Sequence, residues 1–209
     1  MKKILFINIF LICLSVNAFS QFGIRVGVNS ADEVRQFVNE PENFDATKLT
    51  SFHAGIVWQT PFGKSGFATE IGALFSQKGS YYNYTNSEGI DVQAIDELNY
   101  IEVPLNIRFS PPGNLPLNIY GTAGIYFSYL FNGKTTDEKA EKTVDMNLTR
   151  IAERLDIGLA TGAGVQLFKK IQLGATWNWG LKYTPHLTAS DIVKNFKNKG
   201  FSVNLTYVF

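Results

Sequence analysis

From Tyr100 to Phe109 the chain alternates without a break. Ile101, Val103, Leu105, Ile107 and Phe109 fall on one side, and Tyr100, Glu102, Pro104, Asn106 and Arg108 on the other. A period of two marks a β-strand with one apolar and one polar face. The pattern recurs along the chain and predicts eight strands: Phe22–Asn29, Ser51–Gln59, Gly66–Lys78, Leu98–Phe109, Leu117–Leu130, Arg154–Phe168, Ile171–Tyr183 and Phe201–Phe209. Most match or exceed the 9–11 residues or so that a strand needs to cross a bilayer.

The connections alternate too. "TPFGKS", "SPPGNLP" and "KK" are short and rich in turn formers. Ser30–Thr50, Gly79–Glu97, Phe131–Glu153 and Thr184–Gly200 are long and polar. An up-and-down meander puts the short turns at one end and the long segments at the other. That is the asymmetry of an outer-membrane barrel, with short periplasmic turns and long external loops. The third segment is charged and has room for a short helix. An even strand number returns both termini to the short-turn end.

The composition of the faces decides which one points inward. In Arg154–Phe168 the set Leu155, Ile157, Leu159, Thr161, Ala163, Val165, Leu167 alternates with Asp156, Gly158, Ala160, Gly162, Gly164, Gln166. The polar face is small and Gly-rich, which suits the crowded interior of a narrow barrel. A soluble barrel, with the apolar set inside, would carry many Lys and Glu on its other face. Aromatics gather near strand ends. Trp58, Phe109 and Phe209 fall at the short-turn end with Phe22, Phe62 and Phe67; Trp177, Trp179 and Tyr183 fall at the long end with Tyr81, Tyr82, Tyr126 and Tyr129. Two aromatic girdles at the interfaces are expected of a membrane barrel. The predicted fold is therefore all-β, an eight-stranded antiparallel up-and-down transmembrane β-barrel in the outer membrane, with outer-membrane lipid against its apolar face.

The first residues sharpen this. "MKKILFINIFLICLSVNAFSQ" joins two lysines to an apolar run and a small-residue cleavage pattern. It reads as a signal peptide over residues 1–20, leaving 21–209 as the barrel domain. Removing Lys2 and Lys3 leaves 17 basic against 18 acidic residues, a net of −1. No basic surplus points to nucleic acid. The only Cys, Cys13, lies in the signal after Ile12, which does not fit a lipoprotein site. The mature chain then has no disulfide, and no later apolar run is long enough for a transmembrane helix. The chain closes on Val203, Leu205, Tyr207 and Phe209. This alternating strand with an aromatic carboxy-terminus resembles the signal read by the barrel-insertion machinery.

"FGIRVGVN", "EIGALFSQKGS", "LNYIEVPLNIRF" and "IGLATGAGVQL" together resemble the PorT-like outer-membrane β-barrel family over nearly all of residues 21–209. The resemblance implies a Gram-negative outer-membrane barrel. Some members take part in protein secretion, and that role does not follow from resemblance alone.

Candidate chemistry is sparse. His53 lies on a polar face, but the residue two places on is Gly55, not the Ser of a lipid A deacylase pattern. His186 follows Pro185 in the last long segment. "GAGVQL" sits inside a strand with no following helix, so it fails the context of a dinucleotide site. No spacing of His, Cys or carboxylates fits a metal. We expect no catalytic residues, no cofactor and no metal. Arg25, Glu70, Glu102, Arg108 and Asp156 should form a lumen polar network of ion pairs, because unpaired buried charges are costly. A protein partner is expected at the long external loops, with a narrow solute or ion conduit, or an accessory of protein secretion across the outer membrane, as the alternatives. Pro104 lacks an N–H, so its strand should show a bulge or a missing ladder bond there.

Overall fold

The computed structural model describes residues 21–37, 42–85, 89, 91–113, 116–137, 142–145, 151–182, 184–185 and 193–209. Eight long strands form the wall: β1 (Gln21–Phe37), β2 (Glu42–Pro61), β3 (Phe67–Thr85), β4 (Asp91–Phe109), β5 (Leu117–Asp137), β7 (Leu155–Leu167), β8 (Ile171–Gly180) and β10 (Val193–Val208). Short β6 (Lys142–Asp145) extends the β5 edge, β9 (Thr184–Pro185) pairs with β10, and helix α1 covers Ile151–Arg154. Each long strand pairs antiparallel with the next, and β1 pairs with β10. The eight long strands thus form a closed ring, with every wall strand paired on both sides across the apolar band, as hydrocarbon requires. Phe209 N–H donates to the Phe22 carbonyl at 2.9 Å, so both ends of the barrel domain meet at the short-turn end.

Alternation sorts the faces. Ile24, Val26, Ile56, Ile71, Leu105, Ile107, Phe127, Leu159, Leu173 and Leu205 are exposed, while Arg25, Glu70, Asn106, Arg108, Gln172 and Thr206 are buried. The apolar set faces outward. On β4 the outward band runs from Ile101 to Phe109, nine residues. At about 3.3 Å per residue and a tilt of about 40°, it stands roughly 20–25 Å tall, the height of a membrane barrel's apolar band.

The strands outrun that band. β4 begins at Asp91, and β5 continues to Asp137. Much of what the pattern predicts as long loop is paired strand: β3–β4 pairs run to Thr85↔Asp91, and β1–β10 pairs reach Phe37↔Val193. The polar composition that signals loop in a membrane band is tolerated in a sheet with water on its outer side. The register irregularities between Glu42/Asp45, Lys48/His53, Gln36/Phe37 and Asn99/Tyr100 all lie at or beyond the long-strand end of the band. Among its described residues, the charged third segment holds the end of β5, the short strand β6 and the short helix α1. His186 lies outside the described residues.

Pro104 shows the missing ladder contact and no bulge. β3–β4 pairing stops at Ile71↔Leu105 and resumes at Leu74↔Glu102 in the same register, while Pro104 still pairs with Tyr126 of β5. The proline ring faces inward. A Cβ on Gly72 would meet Pro104 Cγ at 3.1 Å, so glycine gives the ring its place.

Candidate functional site: a layered polar lumen

The inward side chains form two belts across the barrel. In the lower belt, toward the short turns, Arg25 Nη2 donates to Glu70 Oε2 at 2.9 Å, and Arg25 Nε donates to Thr206 Oγ1 at 2.9 Å. Glu70 also accepts from Gln59 Nε2 at 2.8 Å and from Asn106 Nδ2 at 3.4 Å. Gln59 and Gln172 exchange amide bonds at 3.0 Å in both directions. Arg108 donates to Gln172 Oε1 at 3.3 Å and Gln166 Oε1 at 3.1 Å, and its guanidinium lies 3.6 Å from the centroid of Tyr120. All eight long strands contribute to this belt. Glu70 and Gln172 are only 1% and 0% exposed, so the belt closes the section it crosses.

The upper belt is built on Lys78, whose ammonium donates to Glu102 at 2.5 Å and lies 4.5 Å from the Tyr126 ring centroid. Ser128 Oγ donates to Glu102 at 3.1 Å. Asn198 Nδ2 donates to Asp156 Oδ2 at 2.9 Å and to Tyr100 Oη at 3.1 Å, and Tyr126 Oη donates to Asp156 Oδ2 at 3.4 Å. Above it Leu98, Tyr100 and Leu130 make a buried cluster. Thr135 Oγ1 donates to Asp96 at 2.6 Å.

Between the belts is a polar chamber of about 40 Å³, bordered among others by His53, Asn106, Thr122, Thr176, Asn178 and Asn204. A polar space of that size admits a few waters. Asn106 Oδ1, on this wall, accepts no bond from a protein donor.

The charges named from the sequence are all buried, and of the five only Arg25 and Glu70 form an ion pair with each other among the described residues. Glu102 pairs with Lys78, which the sequence reading did not single out. Asp156 is held by neutral donors, and Arg108 by amide oxygens and a tyrosine ring. Among the described residues neither makes an ion pair. Gln59, Gln166 and Gln172 were also missed, because amides carry no charge to draw attention. Strand parity was the usable signal: Lys78 is eight places after Glu70, so both share the inward face.

The interior glycines have a specific use. A Cβ on Gly164 would lie 2.6 Å from Tyr120 Oη, and one on Gly158 would collide with the Tyr126 ring. Each tyrosine packs directly against a glycine of β7. Tyr126 and Tyr82 therefore belong to the interior, not to a girdle. Trp58, Phe109, Trp177, Trp179 and Phe209 point outward. At the short-turn end Phe22 meets Trp58 at 5.4 Å and Phe209 at 5.6 Å, and Phe67 meets Phe109 at 4.8 Å. At the other end Trp177 meets Phe201 at 5.0 Å. Tyr183 lies outside the described residues.

His53 is buried, with Nδ1 2.8 Å from Asn29 Oδ1. Asn29 Nδ2 in turn donates to Ser76 Oγ at 3.2 Å. The serine reaches the amide and not the imidazole, so this is no nucleophile–base pair. Among the described residues no three His, Cys, Asp or Glu gather as a metal site, and no helix is long and apolar enough to cross a membrane.

Solved outer-membrane proteins are similar to this chain. The outer membrane protein OprG of Pseudomonas aeruginosa aligns with a TM-score of 0.52 at 14% identity, over 91% of this chain and 96% of that one. The attachment invasion locus protein Ail of Yersinia pestis aligns at 0.44 and 14%, over 91% and 99%. Neisserial surface protein A aligns at 0.42 and 13%, over 90% and 97%. No curated protein matches the sequence. Residues 16–184 match the family model described as outer membrane protein beta-barrel domain, and this chain, an eight-stranded barrel of the outer membrane, belongs to that family.

Proposed function

We propose that the protein is a closed, non-catalytic barrel that presents a projecting sheet and its loops to a protein partner outside the cell. The observation that carries this reading is the lower belt, which crosses the lumen from all eight strands with its charged and amide side chains bonded to one another. A channel needs a continuous wet path, and the space between the belts is only about 40 Å³. Strands that continue well past the apolar band make the outer end a rigid platform. Binding residues commonly sit on loops held by such a scaffold. His53, bound to an amide and facing inward, gives no reason to assign chemistry. The PorT-like motifs fall on β1, β3, β4 and β7, so that narrower kinship is part of the proposal. A role in secretion is not.

Planar-bilayer recording tests closure: the refolded barrel should give no reproducible conductance steps. Steady unitary currents would overturn it and favour a narrow conduit. A photo-crosslinking residue at Tyr81, exposed on projecting β3, tests the platform. It should capture a discrete protein on intact cells, while the same group at lipid-facing Ile71 should not. Equal capture, or none at several projecting positions, would refute the partner role.

A further inference from the structure

The lower belt holds two guanidinium groups and one carboxylate. Arg25 takes the carboxylate of Glu70. Arg108 is buried, yet among the described residues no carboxylate lies within ion-pair distance of it. Gln166 and Gln172 satisfy two of its donors but neutralise no charge. Glu70 also attracts Arg108 at longer range, but one carboxylate against two guanidinium groups leaves the belt with a surplus positive charge, and a buried surplus charge is costly.

The position of Arg108 shows where a counter-ion could enter. Arg108 borders a vestibule of about 190 Å³ at the short-turn mouth, with Gln21, Gln59, Ser110, Asn118 and Gln166 among its walls. It does not border the inner chamber. Among the described residues, no acidic side chain lines the vestibule. Tyr120 covers one face of the guanidinium, and the two glutamines fix its plane.

We propose that this vestibule is a binding site for a small carboxylate taken from the periplasmic side, with Arg108 as its anchor. A guanidinium has five N–H donors, of which the two glutamines take two, and those left over can donate charge-assisted hydrogen bonds to a carboxylate. The space suits a small organic acid and is closed above by the belt, so the ligand binds without crossing the membrane.

The test is a titration of the refolded barrel in nanodiscs with succinate, followed by the arginine side-chain NMR signals. Wild type should respond saturably. Lys64→Gln, which removes an exposed cation from a turn at the same end, should bind as wild type does. Arg108→Gln should weaken binding by roughly tenfold or more, the worth of one charge-assisted hydrogen bond. Gln166→Glu provides a second route should Arg108→Gln fail to fold. It places a carboxylate where Gln166 Oε1 already accepts from Arg108 at 3.1 Å. It should abolish the response and raise the urea midpoint. No saturable response in wild type, equal loss in Lys64→Gln, or undiminished binding in either site variant would overturn the proposal.

Discussion

Glu70→Gln is the sharpest probe of the lumen. The change keeps side-chain size and removes the one carboxylate of the lower belt. Glu70 accepts from Arg25 at 2.9 Å, Gln59 at 2.8 Å and Asn106 at 3.4 Å, and it is 1% exposed. With charge centres about 4 Å apart, the attraction is about 4 kcal/mol at an effective dielectric constant of 20. Removing one partner strands Arg25 in a buried site, and measured losses of this kind are about 3–5 kcal/mol. The expected result is a drop of that size in unfolding free energy, read from urea titration in lipid vesicles. Arg25→Met with Glu70→Met removes both charges, and the double variant should recover much of the loss, because a buried pair replaced by apolar groups is often near neutral. A double-mutant cycle should show coupling of at least about 2 kcal/mol. If Glu70→Gln falls within about 0.5 kcal/mol of wild type, or the double variant recovers nothing, the pair is not what holds this layer together.

Other changes test other parts of the wall. Gly158→Val sets a side chain where the Tyr126 ring lies. It should cost about 1–3 kcal/mol by overpacking, seen as a lower midpoint and a weakened folded band on a heat-modifiability gel. Phe168 and Lys169 both have left-handed backbones, with φ of 50° and 62°, in a turn closed by Lys170 N–H to the Leu167 carbonyl at 3.0 Å. Phe168→Asn with Lys169→Gly supplies the residues such a turn prefers and should stabilise by about 1–2 kcal/mol; a loss would contradict the turn geometry. Trp58, Trp177 and Trp179 are the three tryptophans, all outward. Lipids brominated near the headgroup should quench each of them, and lipids brominated at the chain ends should quench them weakly; the reverse order would refute the girdle placement.

Strand parity carried most of the fold. Alternation from Ile101 to Phe109 and its repeats were enough to define eight strands, their order around the wall and the lipid-facing side, because a closed meander permits one arrangement of neighbours. A single-residue slip would turn Arg108 and Glu102 into lipid, so the register is tightly constrained. The missing ladder contact at Pro104 was readable for a local reason: proline has no N–H to give. The ends of the strands were not readable. Above the band water can face the outer wall, so Gly79–Thr85 and Asp91–Glu97 carry loop composition and still pair with each other as sheet.

Within the lumen, the sequence by itself determined which side chains point inward and that charges would be among them. Only the tertiary structure decided which of them meet. Partners across a barrel come from strands far apart in the chain, as with Gln59 and Gln172 or Tyr100 and Asn198, and strand tilt and stagger set their heights. Alternation within one strand holds no record of that stagger. It therefore could not tell that Glu102 would take Lys78, or that Arg108 would face an open vestibule with no carboxylate beside it.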